Sequence, residues 1–248
     1  LAAKQRHIPV IIHESDMTPG LANRLCISSA RNVCCNFPET LNYLPADKAV
    51  LTGSPIRREL LNGSVLSGLK FTGLSSEKPV ILVIGGSLGS VKVNTAVRNI
   101  LPALLEKYQV IHLCGRGNLD KSLKSLKGYV QYEYISAQLK DLFAMSDMII
   151  SRAGANSICE ILALRKPNLL IPLSAAASRG DQILNARSFQ KQGFSEVLEE
   201  ENLTDESLKE MIEKVFTHKY DYINAMNRSK TSDAITIITR LIEDAANS

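Results

Sequence analysis

At 248 residues and 45% apolar composition, the chain is long enough for one large or two modest domains with a real core. Aromatics at 5%, the absence of Trp and the lack of RNP-like or zinc-finger spacing argue against nucleic acid as a partner. No apolar run approaches ~20 residues, which excludes a helical membrane span. A net charge of +4 suits an anionic ligand or an acidic membrane surface without choosing between them.

Residues 1–6 read as the tail of a helix and 7–14 as an apolar strand of the kind buried on both faces of a parallel sheet. A loop (15–20), a helix (21–30), a short strand (32–36), a helical turn from Pro38 and a strand (49–52) follow. Residues 63–78, rich in Ser, Gly and Leu, read as a linker or surface loop. From Pro79 the rhythm is regular: strand 80–84, a Gly-rich turn and one helix over 91–108. Strands 110–114 and 130–135, helix 137–145 and strand 148–150 come next. A further helix closes before Pro167, strand 168–173 leads to helix 182–192, and 194–198 makes a short edge strand. Residues 206–217 and 235–246 have the apolar spacing of amphipathic helices. Strands alternating with helices predict an α/β fold with a doubly wound parallel sheet.

Five cysteines (Cys26, Cys34, Cys35, Cys114, Cys159), odd in number and unpatterned, read as small buried hydrophobes of a reducing cytosol. The run Glu199-Glu200-Glu201 reads as a solvated turn. His13, at the end of its strand, is the histidine expected to face a cleft, as a structural or a catalytic group.

Ligands of such sheets bind beyond the C-terminal strand ends. The loops there are 85–90, 135–137, 151–156 and 174–182. In Ser151-Arg152-Ala153-Gly154-Ala155-Asn156-Ser157 a strand runs straight into a helix, aiming unpaired N–H groups at an anion. Glu160, a turn later, can reach a sugar hydroxyl. The same residues also fit an ordinary strand–helix turn with a solvated Glu. Gly85-Gly86-Ser87-Leu88-Gly89-Ser90 permits close approach of a phosphate, or simply packs a helix on a sheet; it is neither a Walker loop nor a clean G-x-G-x-x-G. Arg57-Arg58 supplies either a diphosphate ligand or a surface pair. Asp181-Gln182 suits vicinal sugar hydroxyls, or N-caps a helix, or both. No D-x-D, H-E-x-x-H or G-x-S-x-G motif occurs.

These stretches, with His13-Glu14-Ser15-Asp16, Pro19-Gly20-Leu21-Ala22-Asn23, Thr52-Gly53-Ser54-Pro55-Ile56-Arg57, Asn94 and Asn185-Ala186, resemble the MurG family of UDP-N-acetylglucosamine transferases. The resemblance implies a GT-B-type fold of Rossmann-like parallel sheets, with one complete C-terminal domain and the end of an N-terminal one. The domains would be 1–52 (acceptor side), 53–220 (UDP-sugar binding) and 221–248, a helix packing back toward the N-terminal part. It implies inverting, metal-independent transfer of N-acetylglucosamine from UDP-N-acetylglucosamine to the C4 hydroxyl of the muramyl sugar of lipid I, with no cofactor. Glu160 would hold the ribose and Ile135 the uracil. Ala155, Asn156, Ser157, Ser87 and Arg57 would face the diphosphate, and Asp181 and Gln182 the sugar hydroxyls. Asp16 stands beside the donor sugar where family members usually carry Asn, and Ala175-Ala176-Ala177 is bland for a cleft loop. The family's Gly-rich N-terminal loops, catalytic base and membrane surface have no counterpart before Leu1. No catalytic residue is therefore assigned, and the chain is expected to be the donor-binding portion of a peripheral enzyme at the cytoplasmic face of the membrane. The alternatives are a UDP-N-acetylglucosamine-binding subunit of a split glycosyltransferase, or a related lipid or natural-product glycosyltransferase.

Overall fold

The structure, a computed structural model, describes residues 2–86, 89–176, 180–229 and 233–247. Two parallel sheets organise them. The first holds β1 (Ile11–Glu14), β2 (Asn32–Cys35) and β3 (Ala49–Leu51), in that order. The second holds β4 (Val80–Ile84), β5 (Gln109–Leu113), β6 (Tyr129–Tyr132), β7 (Met148–Ser151), β8 (Asn168–Leu170) and β9 (Glu196–Val197). Its spatial order is β6-β5-β4-β7-β8-β9, with every pairing parallel. Strand order reverses between β4 and β7, which are direct neighbours with Ile84 opposite Ser151. In such sheets the crevice outside the carboxyl ends at this switch point is where ligands sit.

The helices are α1 (Ala2–Gln5), α2 (Leu21–Cys26), α3 (Val65–Thr72), α4 (Val91–Asn99), α5 (Leu101–Lys107), α6 (Leu139–Met145), α7 (Ala155–Ala163), α8 (Asp181–Lys191), α9 (Asp205–Thr217), α10 (Lys219–Asn227) and α11 (Ala234–Ala246). Successive strand side chains point to opposite faces, so an apolar run can bury both. Ile81 and Val83 of β4 join a core with Val97, Phe189 and Ile212, from α4, α8 and α9. Val80 and Leu82 face the other core, with Leu142 and Phe143 of α6. A smaller cluster of Ala30, Val33, Cys35 and Leu44 supports the first sheet. Helix α11 lies by that sheet: Ile238 and Ile242 line a hollow of about 420 Å³ together with Ile11, Ile12 and Cys34.

Several elements depart from the sequence expectations. The helix expected over 91–108 breaks at Ile100 into α4 and α5, because Pro102 has no N–H to donate and fits only a helix's first turn. The expected loop over 63–78 contains α3, with Ser64 accepting from the Ser67 N–H at 3.2 Å and Gly73 closing it in a left-handed conformation. Gly68 weakens this helix locally but is required: a Cβ there would lie 2.6 Å from Met145 Sδ and 2.8 Å from the Asp141 carbonyl oxygen of α6. The first strand is shorter than expected, and α10 follows α9 almost directly.

Four cysteines are buried as expected, whereas Cys26 is exposed at the end of α2. Burial pushes the Cys159 thiol up to about 12 and the Cys35 thiol to about 11, and raises Cys34 and Cys114 as well. Reactivity follows the thiolate. A chromogenic disulfide reagent at pH 8 should therefore titrate one thiol rapidly in the native chain and all five after denaturation. Rapid native release of two or more would contradict this burial.

Candidate functional site

Helices α4 and α7 both start at the switch point, one residue after the loop from β4 and four after the end of β7 respectively. Gly154 precedes α7 in an extended conformation and supplies no side-chain cap. The first bond into the helix comes from the Ile158 N–H to the Gly154 oxygen, 3.1 Å. The N–H groups of Ala155, Asn156 and Ser157 are left as donors at the positive end of the helix. A Cβ on Gly154 would meet nothing within 4 Å, so the backbone there faces open space.

The β4–α4 turn is tighter. Gly89 has φ +74°, and a Cβ on it would fall 1.9 Å from the Cys114 carbonyl oxygen. That carbonyl is fixed by the Asn94 amide, which donates to it at 2.9 Å. Asn94 Oδ1 must then accept from His112 Nε2, 2.9 Å away, leaving His112 Nδ1 to accept from the Tyr129 hydroxyl at 3.0 Å. Full burial holds His112 neutral, with its pKa pushed down to about 3. Ser90 caps α4, accepting from the Val93 N–H at 3.3 Å. Ser87 lies outside the described residues.

Arg57 and Glu160, 103 positions apart, meet beside α7: Arg57 Nη2 lies 3.3 Å from Glu160 Oε1. The guanidinium is half exposed and also 3.5 Å from Glu59, so this pair adds little stability by itself. Asp181 and Gln182 open α8. The Asp181 carboxylate accepts from the Thr18 hydroxyl at 3.2 Å, and Gln182 Oε1 accepts from the Leu173 N–H at 3.0 Å. Ile135 sits in the loop after β6, half-buried against the second core, and neither its N–H nor its carbonyl has a partner among the described residues.

Asp16 faces α8 rather than standing alone, because its carboxylate accepts from Asn185 Nδ2 at 2.9 Å. Asn185 is fully buried, also accepts from the Met17 N–H at 3.0 Å, and donates to the Ala153 carbonyl at 3.3 Å. It thus joins the loop of the first sheet to the start of α7. Glu14 shapes that loop from within, accepting from the Asp16 and Gly20 N–H groups and the Asn23 amide. His13 Nε2 donates to the Gly53 carbonyl at 3.0 Å, a structural tie.

Two residues of this floor have no role assigned from the sequence. Arg152 turns inward and is bonded to the carbonyls of Ile171 and Pro172, to Ser90 Oγ and to Glu200. The expected solvated turn at 199–201 is thereby corrected: Glu200 is buried against Arg152, and Glu199 pairs with Arg187 at 2.9 Å. Asn185 was marked in the sequence only as part of the Asn185-Ala186 stretch, without a role.

A hollow of about 580 Å³ is lined by Asn36 and Phe37 after β2, Gly53 and Ser54 after β3, the second half of α7, and Met226 and Ala234 of α10 and α11. Neither Arg57, Glu160, Asp181 nor Gln182 lines it.

Residues 80–241 match the glycosyltransferase family 28 C-terminal domain. A UDP-N-acetylglucosamine--N-acetylmuramyl-(pentapeptide) pyrophosphoryl-undecaprenol N-acetylglucosamine transferase of Lachnoclostridium phytofermentans is 64% identical over 244 residues, which cover 98% of this chain and 69% of that protein. The chain belongs to the MurG family. A MurG-family relative carrying the same description in Clostridium botulinum (strain Loch Maree) is 53% identical, with the same shares covered. Among solved structures, Acinetobacter baumannii MurG superimposes with a TM-score of 0.72 at 22% identity, over 98% of this chain and 69% of that one. The UDP-GlcNAc 2-epimerase of Neisseria meningitidis, bound to UDP-GlcNAc, gives 0.63 at 18% identity, over 98% and 71%. At these identities the two structures establish the fold, which is GT-B-type.

Proposed function

We propose that this MurG-family chain carries the UDP-N-acetylglucosamine site of an enzyme that transfers N-acetylglucosamine to the C4 hydroxyl of the muramyl sugar of lipid I. The observation that carries this reading is the pair of helix starts at the β4–β7 switch point, with Arg57 and Glu160 together beside α7. In this reading Glu160 accepts from the ribose and the free backbone groups of Ile135 read the uracil. The N–H groups of Ala155, Asn156 and Ser157, with Ser87 and Arg57, face the diphosphate. Asp181 and Gln182 hold sugar hydroxyls, with Asp16 beside them. Residues 1–52 form the acceptor-side unit and 53–220 the donor unit; of 221–248, α11 returns to the first unit while Tyr222 and Met226 of α10 stay in the core of the second.

As the C1–O bond to UDP breaks, the leaving diphosphate gains negative charge and C1 becomes cation-like. Helix N-termini and a guanidinium preset toward that charge stabilise the transition state more than the ground state, and they need no reorganisation at that moment. Attack by the acceptor hydroxyl from the opposite face inverts C1 and gives a β linkage. The proton of that hydroxyl is not assigned to a residue of this chain. The lipid-linked acceptor places the enzyme at the cytoplasmic membrane face. Among the described residues no helix is long and apolar enough to cross a membrane.

Calorimetric titration with UDP-N-acetylglucosamine tests the donor site directly. Saturable one-to-one binding is expected, and its absence overturns the reading.

A further inference from the structure

Arg152 has no part in the ligand contacts proposed above, although it belongs to one of the two loops assigned to the diphosphate and bonds to Ser90 of the other. It is the first residue after β7, and its side chain is 11% exposed. Nη1 donates to the Ile171 carbonyl at 3.0 Å and to the Pro172 carbonyl at 3.1 Å, just beyond β8. Nη2 donates to Ser90 Oγ at 2.6 Å and to Glu200 Oε1. Two bonds on each terminal nitrogen account for all four of their hydrogens. A phosphate therefore finds no donor at these nitrogens unless an existing bond breaks.

The partners explain the arrangement. Ser90 is the cap of α4, Arg152 leads into α7, and the carbonyls belong to the exit of β8 toward α8. One planar fork thus touches the junctions of three adjacent strands, and Glu200, after β9, balances its charge from behind. A lysine has a single nitrogen on a flexible stem and cannot reproduce this geometry.

We propose that Arg152 is a positioning residue that sets the separation of the α4 and α7 helix starts, so that both meet one diphosphate, and that it does not bind phosphate itself. The proposal rests on the nucleotide reading above. A diphosphate that spans both starts is sensitive to their spacing, whereas a nucleoside held at Ile135 and Glu160 is not. The informative quantity is the ratio of the uridine Kd to the UDP Kd, measured by ligand-observed NMR titration of the whole chain.

In Arg152→Lys that ratio should fall roughly tenfold, the scale of one lost charge-assisted hydrogen bond, while the uridine Kd stays within about twofold. Ser90→Ala breaks only the α4 tie and loses a helix cap worth about 1 kcal/mol, so it keeps the fold. It should lower the ratio by about threefold, with no further fall when added to Arg152→Lys, since both act through one contact. Where Arg152→Lys does not fold, Ser90→Ala decides alone. An unchanged ratio, or parallel weakening of uridine and UDP, overturns the positioning role. A wild-type ratio near one overturns the nucleotide reading, and this proposal with it.

Discussion

Replacing Glu160 with alanine is expected to weaken uridine binding by roughly 1–3 kcal/mol, the range for a hydrogen bond to a charged group. The residue is well placed for such an effect. It lies in the second turn of α7, its carboxylate is 20% exposed, and Arg57 already orients it at 3.3 Å. That pairing also gives the experiment an internal signature. Removing Glu160 leaves the Arg57 guanidinium with only exposed Glu59, at 3.5 Å, so more of its charge is available to a diphosphate. UDP and UDP-N-acetylglucosamine should therefore lose less affinity than uridine does, and adding Arg57→Ala should remove the difference. Glu160→Gln keeps an acceptor and should sit between wild type and alanine. Unchanged uridine affinity in Glu160→Ala would take this carboxylate out of the ribose role, whatever happens to UDP.

The largest effect on stability is expected at Gly89. An alanine there would be forced to φ +74° with its Cβ 1.9 Å from the Cys114 carbonyl oxygen. The carbonyl cannot retreat cheaply, since Asn94 bonds to it and is itself held by buried His112 and Tyr129. Steric overlap against a fixed backbone atom, added to left-handed strain, should cost about 3–5 kcal/mol. Gly86 makes the control. It has φ +87°, but nothing lies within 4 Å of its absent Cβ, so Gly86→Ala should cost only about 1–2 kcal/mol of conformational strain. Urea unfolding of the two variants separates these terms, and equal losses would show that contact with Cys114 does not matter.

Much of the fold of residues 80–198 is legible in the sequence. Val80–Ile84 and Met148–Ser151 are apolar runs that end in small-residue turns, and that pattern alone predicts buried parallel strands followed by helices. The helix starts they feed are local features, which is why the anion-ready N–H groups of α7 could be anticipated. Helix α3 was missed for the opposite reason. Its Ser- and Gly-rich sequence is a poor helix by propensity, and it forms because Gly68 lets it lie against Met145 and Asp141 of α6. The break at Ile100 was marked by Pro102, yet the apolar spacing on either side concealed it.

The chain's own order of residues determined which loops carry glycine and where helices expose their N–H groups, because these depend on neighbours within a turn or two, and the alternation of strands with helices determined that the sheet is parallel. Tertiary structure alone decided which charges meet. Arg57 finds Glu160 across 103 residues, Asn185 joins the Asp16 loop to Ala153, and Arg152 is turned away from the crevice by Ser90, Glu200 and two carbonyls. An arginine beside a phosphate-type loop looks the same in sequence whether it binds a ligand or braces the loop. The difference lies in whether acceptors from distant strands reach it first, and that is settled only when the sheet has assembled.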